Sequence, residues 1–355
     1  MCLITLTQRR ISLCSFSASK QLRTFFASTL SRNEPRNTAA TTQEDIMSLI
    51  SNWKSKVLDE TTLSTDTITS TPLQLLSLTL NRTNIIDDTP ATAISPVETA
   101  LPPNYHLAYF PTRAYEKDLS PDGYLTTHSP PPPFLQRLWA GGELLFDNWN
   151  PLRVGQHVNM ETKCRNVEVK RGAFGGENVF VWVDRDIGNK YGFSVRDTRC
   201  LVYMRRSVLK EKQRKIVKVN YRPDFEKTIH PTTILLFRYS AVTFNSHLIH
   251  YDHKYATEME GHEGCLVHGP LTCTLLLDLL RDNIPEPSAQ IKSFTYRTTS
   301  PLVVGKPFKI SGKRNRNVVS SNSLKEGGSG VSYELWAENN EGCVAMKGTA
   351  LIEFL

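Results

Sequence analysis

No run of apolar residues in this sequence approaches the ~18 needed to cross a bilayer as a helix. The best stretch, Leu271 to Leu280, is short and carries Asp278, so stable membrane insertion is not expected. Cysteine is sparse and scattered (Cys2, Cys14, Cys164, Cys200, Cys265, Cys273 and Cys343), with no CxxC and no pair at zinc-ligand spacing beside a histidine pair. That argues against a disulfide framework or a structural zinc, and for reduced thiols in a reducing compartment. Nucleic-acid motifs and basic–aromatic stripes are also missing, so no nucleic-acid partner is expected. Acidic residues are absent from Met1 to Asn33, where Arg9, Arg10, Lys20, Arg23 and Arg32 alternate with Ser, Thr, Leu, Ile and Phe. Such a segment reads as a basic amphipathic import signal, because a secretory signal would have an unbroken apolar run.

The net charge of +7 favours acidic partners, such as phosphate-bearing cofactors or an acidic carrier protein. Much of the excess lies in the N-terminus and in a basic stretch from Arg205 to Lys218, which could meet the phosphates of such a cofactor or the acidic face of such a carrier and is read first as a solvated tether.

After the leader, Glu44 to Val57 and Pro72 to Thr79 read as helices. Residues 87 to 133 read as a long turn-rich excursion ending in Pro130 to Pro133, a stiff polyproline stretch. From Trp139 the pattern becomes strand-like: Glu143 to Phe146, Val158 to Lys170, Asn178 to Arg185 and Ser194 to Met204. The second half repeats this grammar. Asn150-Pro151-Leu152-Arg153-Val154-Gly155 corresponds to Ser300-Pro301-Leu302-Val303-Val304-Gly305, and each is followed by a strand, a Gly-rich turn and two closing strands. Co-linear matches at an offset of about 150 residues imply a duplicated unit. Pro270 to Arg281 is apolar nearly all round and must be wrapped by other structure. A curved sheet around one buried helix is the hot-dog arrangement, so an α+β double hot-dog is expected, two antiparallel sheets each wrapping a central helix. Pro72 to Leu80 is taken as the weaker counterpart of that helix in a degenerate first half. The expected segments are 1–44 for targeting, 45–204 for the degenerate hot-dog, 205–228 for the linker and 229–355 for the catalytic hot-dog.

The densest polar cluster runs from Tyr239 to His253, with three of the nine histidines (His247, His250, His253) inside seven residues. Metal binding needs more strong ligands than this, so no metal and no cofactor are expected. A purely structural role remains open, although so much polarity is costly to bury without a task. The second cluster, Gly264 to Pro270, leads into the buried helix. Backbone N–H groups at a helix start lack internal partners, and Gly269 leaves room for an oxygen to approach one of them. An ordinary Gly-Pro helix entry is the plainer reading of the same residues.

Thr243 to Asp252 (TFNSHLIHYD), with His268-Gly269, resembles the motifs of the MaoC-like hydratases. The likeness is nearest to the subgroup that contains hydroxyacyl-thioester dehydratases type 2 and mesaconyl-CoA hydratases. Leu138-Trp139-Ala140-Gly141-Gly142 and Pro151 to Gly155 fit the same subgroup. The resemblance implies reversible addition of water across the α,β-carbons of an acyl thioester. It puts His250, Asn245 and Gly269 in the catalytic positions, with Ser240, Thr243, His247, Asp252 and His268 binding substrate or orienting those groups. Asn245 stands where the wider family has a catalytic Asp; it can orient a water but cannot take a proton. Phe237, Phe244, Leu248, Leu266 and Leu271 are candidate walls of an acyl tunnel. The implied substrate is a thioester of acyl carrier protein or coenzyme A, and the implied place of action is the mitochondrial matrix, in fatty acid synthesis. The alternatives are a short dicarboxylic enoyl-CoA hydratase, a thioesterase or a non-catalytic acyl-binding protein. The halves can pair within one chain, which would allow a monomer.

Overall fold

The computed structural model describes residues 43–84, 96–171, 176–205, 217–286, 288–319 and 330–354. The segment expected to be an import signal, most of the stretch expected to be a tether and the two Gly-rich turns lie largely outside them. The chain divides into two units, Met1–Ile46 and Met47–Leu355, and the first enters the description only at the opening of a helix.

The elements are α1 (Gln43–Asp59), β1 (Thr61–Thr67), α2 (Ser70–Thr79), β2 (Gln136–Phe146), β3 (His157–Arg171), β4 (Glu177–Asn189) and β5 (Gly192–Met204). They are followed by β6 (Phe225–Ile229), α3 (Thr233–Val242), α4 (Gly269–Arg281), β7 (Ala289–Thr298), β8 (Phe308–Val319), β9 (Gly330–Asn339) and β10 (Val344–Phe354). The ten strands form one antiparallel sheet in the order β1-β3-β4-β5-β2-β7-β10-β9-β8-β6. Read outward from the central β2–β7 pair, the two halves mirror each other: β5 answers β10, β4 answers β9, β3 answers β8 and β1 answers β6. The duplication inferred from the Pro-Leu-x-Val-Gly matches is therefore also present in the topology. The halves join from Gly141↔Arg297 to Leu145↔Ser293. Two glycines make that join possible: a Cβ on Gly141 would collide with the Tyr296 carbonyl, and one on Gly142 with the Thr198 carbonyl. β6 begins at Phe225, inside the span expected to be linker, because Phe225–Ile229 pairs with Phe308–Gly312 of β8.

Helix α4 is buried on almost every side, from Leu271 through Leu280, and packs against β8 and β9. Its polar residues are provided for. Thr274 bonds the Pro270 carbonyl (2.9 Å) and receives Asn104 Nδ2 (2.7 Å), while Asp278 receives Tyr105 OH (3.0 Å) and Arg281 (2.9 Å).

The counterpart of α4 differs from the one expected. By order, β1–α2 answers β6–α3, and α2 packs against α3. The true equivalent is fixed by backbone pairing. In the second half, Val267 N–H donates to Leu302 and Val304 N–H to Cys265; in the first, Leu101 N–H donates to Leu152 and Val154 N–H to Thr99. Leu101 thus answers Val267, and Pro102-Pro103 answers His268-Gly269. Among the described residues the first half follows this point with two 3-10 turns, Tyr105–Ala108 and Glu116–Asp118, and no α-helix before β2. Prolines at 102, 103 and 111 leave no room for a helix of α4's length. The proline run at 130–133 also departs from expectation, turning at Pro132-Pro133 instead of running straight.

Candidate active site

Helix α3 starts on Thr232, whose hydroxyl accepts from Leu235 N–H, and ends where Phe244 adopts φ +50°. That left-handed residue reverses the chain, with Asn245 N–H returning to the Ser240 carbonyl (2.8 Å). The next residues carry His247 and a 3-10 turn, Leu248–His250, packed against the entry to α4. Leu266 N–H donates to the Ile249 carbonyl (2.9 Å).

Three imidazoles meet here. His250 lies over His268 with centroids 3.6 Å apart and planes at 19°, and His247 meets His250 edge-on at 5.6 Å. Each ring has a distinct anchor. His250 Nδ1 lies 2.9 Å from the Leu266 carbonyl, which can only accept, so the proton sits on Nδ1 and the Nε2 lone pair is left as a base. His268 Nε2 pairs with Ser240 Oγ (2.8 Å). His247 Nε2 faces Asp122 Oδ2 (3.3 Å). Burial, the neighbouring His247 and Arg137 push the His250 imidazole down to about 3. Burial, with His250 and His247 beside it, holds His268 well below its ordinary range. Both stacked rings are therefore neutral at neutral pH.

His268 immediately precedes Gly269, the first residue of α4, whose N–H belongs to the group a helix leaves without intrahelical partners. The Trp139 ring of β2 lies against Gly269, with its indole N–H on Tyr296 OH (3.1 Å). Asn245 Oδ1 accepts from His247 N–H (3.1 Å), and its Nδ2 has no partner among the described residues. A neutral base, an amide donor and a helix-start N–H are thus gathered around the α4 entrance. They can respectively take a proton, hold a water and polarise a carbonyl oxygen.

The other expected residues are placed differently. Thr243 Oγ1 bonds back to the Tyr239 carbonyl (2.6 Å), and Asp252 Oδ1 caps the following π-turn by accepting from Tyr255 N–H (2.9 Å). Phe237 and Phe244, two of the expected tunnel walls, are 66% and 63% exposed, while Leu266 and Leu271 are buried. The first half contributes groups that sequence reasoning missed. Asp122 accepts from Arg137 Nη2 (2.6 Å) and Ser120, and Arg137 lies 3.7 Å over the Tyr124 ring, which meets His247 edge-on. Burial opposes ionisation of Asp122, but His247, Arg137 and Ser120 outweigh it and hold its carboxyl well below the usual range. Glu260, also buried, receives Gln136 Nε2 (2.6 Å) and Tyr255 OH (2.9 Å). The available signal was Arg137, two residues before the Trp139 already singled out. Among the described residues, no group of His, Cys, Asp and Glu could hold a metal ion, and no helix is long and apolar enough to cross a membrane.

A cavity of about 680 Å³ opens elsewhere, lined by Ala100 to Pro103, Leu152, Phe146 and Ala289 to Ile291 among others. It occupies the first half's equivalent of the α4 entrance. Pro103 stands there in place of Gly269 and has no N–H to offer.

Fold and site together define a double hot-dog hydro-lyase of the MaoC-like class. A MaoC-like dehydratase from Phytophthora capsici superposes with a TM-score of 0.59 at 15% identity, over 84% of this chain and 97% of that one. The model of the family "Hydroxyacyl-thioester dehydratase type 2" matches residues 104–304. The chain is similar to mesaconyl-C(4)-CoA hydratase of Chloroflexus aurantiacus (31% identity, 73% of this chain, 86% of the relative). It is also similar to the mitochondrial hydroxyacyl-thioester dehydratase type 2 of Schizosaccharomyces pombe (29% identity, 60% of this chain, 77% of the relative). The chain belongs to the hydroxyacyl-thioester dehydratase type 2 family, and is an enzyme of the hydro-lyase type.

Proposed function

We propose that this chain is a (3R)-3-hydroxyacyl-thioester dehydratase, working reversibly on trans-2-enoyl thioesters in mitochondrial fatty acid synthesis. The observation that carries this reading is His250, neutral, with its proton fixed on Nδ1, stacked on the residue that precedes Gly269. In dehydration His250 Nε2 takes the C2 proton. Gly269 N–H receives the thioester oxygen as negative charge develops on it, and Asn245 holds the departing water through Nδ2. His268 and Ser240 keep the His250 ring in place by stacking and hydrogen bonding. The acidless leader and the mitochondrial relative support action in the matrix, on thioesters of an acyl carrier protein or coenzyme A.

A second reading, hydration of a short dicarboxylic enoyl-CoA, is favoured by the Chloroflexus relative. A substrate carboxylate would need a free cation. Arg137, the cation beside the histidines, is already tied to Asp122, which supports a neutral acyl chain.

The test is purified protein with trans-2-enoyl-CoA, followed at the enoyl absorption band. Loss of the band without thiol release is expected. Free thiol would indicate a thioesterase, and no reaction an acyl-binding protein.

A further inference from the structure

Removing a C2 proton and expelling a 3-hydroxyl are two proton events. Asn245, in the place where a carboxylate would serve, can take part in neither. The structure brings a carboxylate to the site by another route. Asp122, from a loop of the first half, meets His247 Nε2 at 3.3 Å and is itself held by Arg137 Nη2 (2.6 Å) and Ser120 Oγ. The loop is docked where it must be for this: Leu248 N–H donates to the Asp122 carbonyl (2.9 Å) and Ser246 Oγ to the Gly123 carbonyl (2.5 Å). His247 is buried, with Nε2 toward Asp122 and its backbone N–H on Asn245 Oδ1, which leaves Nδ1 without a partner among the described residues.

We propose that His247 is the second proton-transfer residue of the reaction and that Asp122, supplied by the otherwise degenerate half, is its positioning residue. This rests on the dehydratase reading above and goes beyond it by dividing the proton work between two imidazoles.

The surroundings of the two rings assign their roles. Burial lowers the proton affinity of His247 below that of a free imidazole; facing it, Asp122 and Glu260 partly offset this and Arg137 adds to it, beside the edge of Tyr124 and the rings of His250 and His268. The charges that bear on His250 are Arg137 and His247, both unfavourable to its imidazolium; a backbone carbonyl is its only support. Of the two rings, His247 has a carboxylate against it to hold an imidazolium and His250 has only a carbonyl, so His247 serves as the acid and His250 as the base in dehydration. The steps balance. The C2–H bond breaks, its proton goes to His250 Nε2, and its electron pair forms an enolate whose oxygen faces Gly269 N–H. The enolate collapses to the C2–C3 double bond as the C3–O bond breaks. The leaving oxygen takes the proton of His247 Nδ1 and departs as water, while Nε2–H stays on Asp122. Between turnovers His250 returns its proton to solvent and His247 regains one. Hydration is the reverse.

The test compares 3-hydroxybutanoyl-CoA with 3-chlorobutanoyl-CoA, since chloride leaves without a proton and needs only the base. His247→Gln and Asp122→Asn are expected to lose about 100- to 10,000-fold in kcat on the hydroxy substrate, shrinking to within a few-fold on the chloro substrate. His250→Gln loses both. Equal losses of His247→Gln on the two substrates would reduce the pair to scaffolding and overturn the proposal, as would undiminished dehydration by this variant. If His247→Gln does not fold, Asp122→Asn carries the same comparison. Wild-type enzyme that turns over neither compound sinks the dehydratase reading itself, a result distinct from equal losses in the variants.

Discussion

The imidazole of His250 lies flat on that of His268, 3.6 Å centroid to centroid, and the two are anchored on opposite sides, one by the Leu266 carbonyl and the other by Ser240 Oγ. A stack this close, and this buried, tolerates two neutral rings and resists any proton on either. The stack thereby keeps an imidazole nitrogen that is weakly basic and unprotonated at neutral pH.

The first consequence concerns acid. His250, His268 and His247 all have folded-state affinities for protons below that of a free histidine, with His250 down to about 3. The unfolded chain therefore binds more protons than the native one as pH falls below about 6.5. Stability is complete above that value and declines toward the folded-state values. Melting temperature is expected to fall between pH 6.5 and 4.5, ahead of ordinary carboxylate titration. His250→Phe, which keeps a ring in the stack, should flatten the slope. A wild-type melting temperature constant over that window would contradict this.

Ser240→Ala removes the hydroxyl on His268 Nε2. His268 Nδ1 is already buried without a partner among the described residues, so the variant would leave both ring nitrogens unsatisfied. A loss of about 1–3 kcal/mol in urea unfolding is expected. A fall in kcat should accompany it, because His268 is free to tilt beneath His250. Full stability would mean that Ser240 is not the group holding the ring.

Much of this was legible in the sequence, and the reasons differ by element. The duplication was visible because Pro151 to Gly155 and Pro301 to Gly305 make the same pairing with the segments at 99–101 and 265–267. Helix α4 was legible because a helix apolar on all sides has no surface to present. Strand β1 was not, since Thr61–Thr67 is a mostly exposed edge with no alternation to read. Helix α3 was missed because its apolar residues mark no single face: Ile234 and Phe237 point outward while Leu236 and Ser240 are buried, so no periodicity marks its buried side. Asp122 and Arg137 lie more than a hundred residues from the histidines they serve, and only the folded sheet brings them together. Pro102-Pro103 looked like ordinary loop until backbone pairing aligned it with His268-Gly269.

Gly269→Ala is expected to separate folding from catalysis. The added methyl would lie 3.4 Å from Trp139 Cγ, an ordinary contact, and alanine fits the first helical position of α4 without strain. Melting temperature should hold or rise slightly. Turnover should drop about tenfold or more, because the methyl crowds the approach of the thioester oxygen to the N–H. Unchanged turnover would remove Gly269 from the oxyanion position.

Gly123→Ala probes how far the 245–250 segment of the second half depends on the first half. Gly123 has φ +82°, a backbone state that costs other residues roughly 1–2 kcal/mol. A Cβ there would fall well inside van der Waals contact distance of the Ser246 carbonyl oxygen, a backbone atom that cannot rotate away. Relieving the collision means parting the 120–124 loop from the 245–250 segment. That movement breaks Leu248 N–H to Asp122 and Ser246 Oγ to Gly123 together, and it draws the Asp122 carboxylate away from His247. Strain and overpacking add to about 2–5 kcal/mol of lost stability. Activity should fall further than Ser240→Ala reduces it, because both sides of the His247 contact move, whereas Ser240 anchors one ring only. Chemical denaturation and turnover on the same preparation test this. A variant with native stability and rate would show that the two loops do not hold each other, and would detach the first half from the chemistry.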